Sequence, residues 1–159
     1  MIPIWSAVTK AQVEKRYEWI KKTYKLLLEF SVLALLVLLA IVLVLQPVVN
    51  FWLKEDAITV TTTYGVIFAL SGFIFLVHNV NTAIGNGFSY FKPQIVLMTL
   101  AAVLDIPLAW VFVQLTGGMI GVVLANIIVL LPFEILEPIF FFRYINKLIK
   151  AEGETSSRE

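Results

Sequence analysis

The sequence predicts an all-α membrane protein, with four transmembrane helices preceded by an amphipathic helix at the membrane interface. Three observations carry that fold class. Residues 30–53 and 57–91 contain no Lys, Arg, Asp or Glu, and a third uncharged stretch covers residues 106–133. Hydrophobic residues make up 60% of the 159 and charged residues 14%, against roughly 25% charged in soluble domains. A hydrocarbon core about 30 Å thick asks for roughly 20 apolar residues of helix, a length that these stretches supply. A soluble domain of about 150 residues hides only about two thirds of its potential surface, so a run such as SVLALLVLLAIVLVL would be left partly in water.

The first element, within residues 1–25, is the amphipathic segment. Thr9 followed by Gln12 has the spacing of a capping box, and Val13, Tyr17, Ile20, Tyr24 and Leu27 recur at steps of four and three. Lys15, Arg16, Glu18, Lys21, Lys22 and Lys25 fill the other face, so the segment is expected along the cytoplasmic interface. The first span is expected over residues 26–46, with Pro47 able to end it because proline supplies no amide hydrogen. Phe51 and Trp52 suit the headgroup level, and the charged Lys54, Glu55 and Asp56 follow in the loop.

The second span, residues 60–83, carries Thr61 to Thr63, Ser71, His78, Asn79 and Asn81, a polarity that belongs inside a bundle. GNGFSYFKP, residues 85–93, reads as a turn, because Gly and Asn tolerate left-handed backbone angles and Pro93 can open a helix. The third span is expected over residues 94–115. Thr116, Gly117 and Gly118 then allow only a short connection, which forces the fourth span, residues 119–142, to return antiparallel beside the third. Residues 143–159 form a cytoplasmic tail whose end, AEGETSSRE, is expected to fray.

Charge supports an even number of spans. With this layout, eleven of the twelve basic residues fall on one side of the membrane and Lys54 stands alone on the other. The positive-inside rule then places both termini in the cytoplasm. The net charge of +1 reflects this topology and carries no signal for nucleic acid. The chain has no cysteine, hence no disulfide, thiolate metal site or cysteine nucleophile. With one histidine, no HExxH motif and no glycine-rich phosphate loop, the sequence points away from an enzyme. No cofactor is expected.

Ionisable residues at membrane depth carry the functional weight, since each costs about 2.5–3.5 kcal/mol at the centre of a span. Asp105 lies deepest, beside Pro107, which leaves the carbonyl of Val103 without its helical donor. The pair offers either a proton or cation site or a carboxyl that hydrogen-bonds a neighbouring helix. Glu134 and Glu137 share a face between Pro132 and Pro138; they either gate a cavity or answer Arg143 and Lys92 near the headgroups. His78 and Asn81 share a stripe with Ser71 and Gly85, suited to a polar cavity, to a proton shuttle, or to interhelical hydrogen bonding alone.

Three segments bear a resemblance. PIWSAVTKAQVEKRYEWIKKTYK, with Pro3, Trp5, Ser6, Ala7 and Trp19 to Lys22, is similar to the end of a membrane helix and the following cytoplasmic helix of bacterial polysaccharide flippases. These belong to the multidrug and oligosaccharidyl-lipid export superfamily. NTAIGNGFSYFKPQ, from Asn81 to Gln94, is similar to that family's loop between its tenth and eleventh helices. The spacing of Gly117, Gly118 and Gly121 resembles its short turn into the last helix.

The resemblance covers residues 2–150. It implies that the four spans correspond to helices nine to twelve, the last third of a twelve-helix, two-lobed transporter in the bacterial inner membrane. The chain is then expected to be a fragment or a truncated gene product, with the missing amino-terminal portion of the transporter as its partner. Family function implies flipping of undecaprenyl-diphosphate-linked saccharides for polysaccharide biosynthesis by alternating access, with possible coupling to an H⁺ or Na⁺ gradient. Its cationic cavity residues come largely from the absent helices, so no substrate-binding set carries over. The alternatives are a multidrug or small-molecule exporter of the same superfamily and a small noncatalytic membrane assembly protein.

Overall fold

The computed structural model describes residues 3–53 and 59–156, with the side chains of 91–93 and 155–156 outside the description. The described residues fold into five helices and contain no strand: α1 (Ile4–Val13), α2 (Tyr17–Leu53), α3 (Thr62–Gly87), α4 (Phe91–Thr116) and α5 (Ile120–Ser156). Four of them, α2 to α5, have segments long and apolar enough to cross a membrane. The expected loop charges Lys54, Glu55 and Asp56 lie outside the described residues.

The amphipathic segment is not one helix. Pro3 sits at the N-cap of α1, and its carbonyl accepts from the amides of Ser6 (3.0 Å) and Ala7 (3.3 Å), so the helix starts well before Thr9. The capping box is therefore not formed: Thr9 donates its hydroxyl to Trp5 O (3.0 Å) and to Gly87 O (3.2 Å). The helix ends at Val13, and Lys15 beyond it adopts φ 57° and lets the Arg16 amide reach Ala11 O at 2.8 Å. This reversal brings Val8 and Ala11 of α1 and Ile20 and Tyr24 of α2 into one core with Ile84, Phe88, Phe141 and Ile145. A straight helix could not present both pairs to one site.

From Tyr17 the basic half of the amphipathic segment is continuous with the first span, and the helix passes Pro47 to reach Leu53. Pro47 removes only the hydrogen bond to the Leu43 carbonyl, a loss that a long apolar helix tolerates. Polar closure comes just beyond: Gln46 Nε2 donates to Asn50 Oδ1 (2.5 Å), and Gln46 Oε1 accepts the Val60 amide (2.6 Å). The most apolar window of α2 has no buried residue, so this helix is covered by something other than its own chain. Lipid fits that description.

Glycines set the close approaches. A side chain at Gly65 would meet Val42 at 2.7 Å, which brings α3 against α2. One at Gly121 would lie 2.5 Å from the backbone of Phe112 and Val113, so α4 and α5 touch almost main chain to main chain. Gly117, at φ 71°, caps α4 and turns the chain into that hairpin. At the other connection α3 runs on to Gly87 before Ser89, at φ 56°, reverses it. Helix α5 continues through residues 143–156, so the expected fraying tail is helical up to Ser156. The contacts of α1 with the end of α3, and of Ile20 and Tyr24 with Phe141 and Ile145, bring the two terminal regions to the same end of the bundle.

Candidate functional site

The site is built on the 3.6-residue repeat of α3. His78, Asn81 and Thr82 stand three and four residues apart, on the side of α3 that meets α5. Glu134 of α5 takes two of them at once. Its Oε1 lies 2.8 Å from His78 Nδ1, and its Oε2 accepts from Asn81 Nδ2 at 2.7 Å. Asn81 Oδ1 in turn accepts the Tyr24 hydroxyl of α2 at 2.6 Å. On the far side of the imidazole, Nε2 is 3.5 Å from Thr82 Oγ1, and that hydroxyl accepts from Gln94 Nε2 of α4 at 2.9 Å. One hydrogen-bonded chain thus joins all four long apolar helices.

Tyr24, Asn81 and Glu134 are buried, with Asn81 only 1% exposed. Around them Tyr24 stacks on Phe142 at 4.8 Å and meets Phe141 edge-on at 6.1 Å. These rings shield the bonds from Tyr24 to Asn81 and from Asn81 to Glu134, which gain strength from the low local dielectric. The pairing of His78 with Glu134 brings an acid and a base together inside the bundle. Depth follows from arithmetic: Glu134 precedes Arg143 by nine residues, about 14 Å of helix.

Of the residues singled out by sequence, His78, Asn81 and Glu134 are brought together. Gly85 lies beneath Gln94 and Phe141, each 3.3 Å from the position of an added side chain. No hydrogen bond among the described residues joins Ser71 to the chain. The pairing of Glu134 and Glu137 with Arg143 is not formed. At 100° per residue Arg143 stands about 180° around α5 from Glu134 and about 120° from Glu137, and it is exposed. The share of that expectation resting on Lys92 lies outside the described side chains. Glu137, one turn beyond Glu134, is buried, and its Oε2 has no hydrogen-bond partner.

No family model, curated protein or solved structure gives a significant match to the chain. The site is therefore read from its own geometry. Asp105 stands apart from the chain of bonds, in a cavity of about 230 Å³ between α4 and α5 that Asn126 also lines. Its Oδ1 is buried and unpartnered. Among the described residues no three His, Asp or Glu side chains converge as a metal-binding group.

Tyr24, Thr82 and Gln94 were not singled out by sequence. For Tyr24 the signal was present, since a tyrosine in an apolar stripe carries a hydroxyl that needs a partner once buried. Thr82 and Gln94 carry no comparable sign.

Proposed function

We propose that this chain forms part of a transporter that moves undecaprenyl-diphosphate-linked saccharide units across the bacterial inner membrane for polysaccharide assembly. It acts without covalent chemistry, by exposing one cavity to each side in turn. The observation that carries this reading is the hydrogen-bonded chain, buried at Tyr24, Asn81 and Glu134, that links these residues with His78, Thr82 and Gln94 through four helices. A helix that moves must break such bonds and find others, so a few alternative pairings define a few discrete arrangements of the bundle. Repacking of apolar side chains alone would impose no such discreteness. The motif resemblance at residues 3–25, 81–94 and 117–121 supplies the substrate class.

In this reading the His78 and Glu134 pair is where a gradient of H⁺ or Na⁺ acts, because adding or removing one charge there changes which bonds the chain can form. Asp105, in its separate cavity, is a second coupling position. The lipid-linked saccharide and the remaining helices of the transporter are the partners, and both termini face the cytoplasm.

The test is deletion of the gene in its native host, followed by extraction of lipid-linked saccharides and a protection assay on spheroplasts with an impermeant saccharide-binding lectin. Lipid-linked saccharide is expected to accumulate several-fold in a form that the lectin cannot reach. An unchanged pool of lipid-linked saccharide would overturn the reading, and a simultaneous rise in drug sensitivity would assign the exporter alternative.

A further inference from the structure

A second feature lies beside the chain of bonds and shares only Gln94 with it. Between the turn at Tyr90, the first turns of α4 and the last part of α5 is a half-enclosed cavity of about 220 Å³, whose wall includes Tyr90, Gln94, Leu97, Glu137, Phe140 and Phe141. Three of these are aromatic rings held in a fixed arrangement. Tyr90 stacks on Phe140 at 5.1 Å and meets Phe141 at 6.2 Å, and Tyr144 backs Phe140 in a parallel stack at 6.2 Å.

The polar groups of the wall are the Glu137 carboxyl, the Gln94 amide and the Tyr90 hydroxyl. Glu137 is only 8% exposed, yet its Oε2 makes no hydrogen bond. Gln94 directs its amide N–H to Thr82, which leaves its carbonyl oxygen as an acceptor. Neighbouring charge does not answer Glu137. Glu134 adds a second carboxylate one turn away, the only imidazole is bound to Glu134, and no Lys or Arg among the described side chains is ion-paired with either acid. A buried carboxylate with a free oxygen asks for a donor that carries positive charge.

We propose that this cavity is a binding site for an organic ammonium group, with Glu137 as its counter-charge and Tyr90, Phe140 and Phe141 as its walls. The chemistry follows from the wall. An alkylammonium offers N–H donors to Glu137 and Gln94, its charge is attracted by ring faces, and its methylene groups match their apolar surface. A compact metal ion would find one carboxylate, one amide and one phenol hydroxyl, which is too few for a hard cation. Volume sets the size: at about 220 Å³ the cavity is below the roughly 300–1,000 Å³ of drug-sized sites and suits a headgroup-sized amine. The ammonium can belong to an aminophospholipid headgroup or to a free amine, and the inference does not rest on the transport reading.

The test uses the whole chain in nanodiscs of phosphatidylglycerol alone. Saturation-transfer NMR compares ethanolamine with ethylene glycol, which has the same size and no charge. Ethanolamine is expected to bind saturably and ethylene glycol not at all. Glu137→Gln should weaken ethanolamine at least about tenfold, as loss of a charge-assisted hydrogen bond does. Phe140→Leu keeps the carboxylate, alters a side chain that is 42% exposed, and should weaken binding about two- to fivefold. That variant keeps the question open to test where Glu137→Gln fails to fold.

Repeating the titration in phosphatidylethanolamine discs separates the two sources. Loss of the ethanolamine signal there shows the lipid headgroup already seated in the cavity, and an unchanged signal assigns a free amine. Absence of ethanolamine binding in phosphatidylglycerol discs, equal binding of ethylene glycol, or affinity unaltered by both substitutions would overturn the site.

Discussion

Replacing Asn81 by leucine removes the amide that links α2 to α5 through α3. Two bonds disappear, the 2.6 Å bond from the Tyr24 hydroxyl and the 2.7 Å bond to Glu134 Oε2. Interhelical hydrogen bonds in membranes contribute about 0.6–1.7 kcal/mol each. Glu134, whose side chain is 4% exposed, would also keep one buried oxygen without a donor, which costs about 1–3 kcal/mol more. Asn81→Leu is therefore expected to destabilise the bundle by about 2–6 kcal/mol. Tyr24→Phe removes one bond and leaves only a neutral acceptor unpaired, so about 1 kcal/mol is expected. Combined in a double-mutant cycle, the two should show a coupling of about 0.6–1.7 kcal/mol, read from reversible unfolding in mixed detergent micelles. A coupling of zero, or an Asn81→Leu cost below about 0.5 kcal/mol, would refute the claim that this chain of bonds ties the helices together.

Other substitutions probe other parts of the structure. Gly121→Val should separate α4 from α5, since an added side-chain carbon would fall 2.5 Å from the backbone of Phe112 and Val113; a loss of about 1–3 kcal/mol in the same unfolding assay is expected. Gly87→Ala pushes against Val8 and the Trp5 carbonyl, so α1 should come loose and limited proteolysis should cut faster between residues 14 and 16. Asp105→Leu removes an unpartnered carboxyl oxygen and fills part of a 230 Å³ cavity, and should raise stability by about 1–2 kcal/mol while lowering any function that needs the acid. The absence of cysteine makes topology direct to measure: single cysteines placed after Lys54 and Gly118 should react with an impermeant maleimide on intact cells, and those after Lys92 and Lys150 should not.

The four long apolar helices were legible because a long uncharged run has few ways to fold, and the Gly117 turn because an antiparallel return beside α4 needs a short, permissive connection. Helix ends were harder. Pro47 signals a stop in water, but an apolar helix keeps its remaining bonds where no solvent competes for them, and α2 runs on to Leu53. The break at Lys15 was hidden, because the stripe from Val13 to Leu27 fits one helix as well as two, and only the shared core of Val8, Ala11, Ile20 and Tyr24 favours the fold-back. In the site, polar residues three and four apart on α3 pointed to a stripe. Their partners on α2 and α5 could not be read, because which helix faces which is decided by packing between distant segments. The supposed pairing of Glu134 with Arg143 failed for a local reason, the half-turn excess in nine residues of helix.

The largest buried cluster holds α1, the start of α2, the end of α3 and the late part of α5 together at one end. Toward the opposite end α2 and α3 meet at Val42 and Gly65, beside an apolar cleft of about 550 Å³ bordered by Leu38, Leu45, Val60 and Tyr64. Acyl tails can lie along that oily surface while the knot of aromatic rings near Tyr24 stays shut.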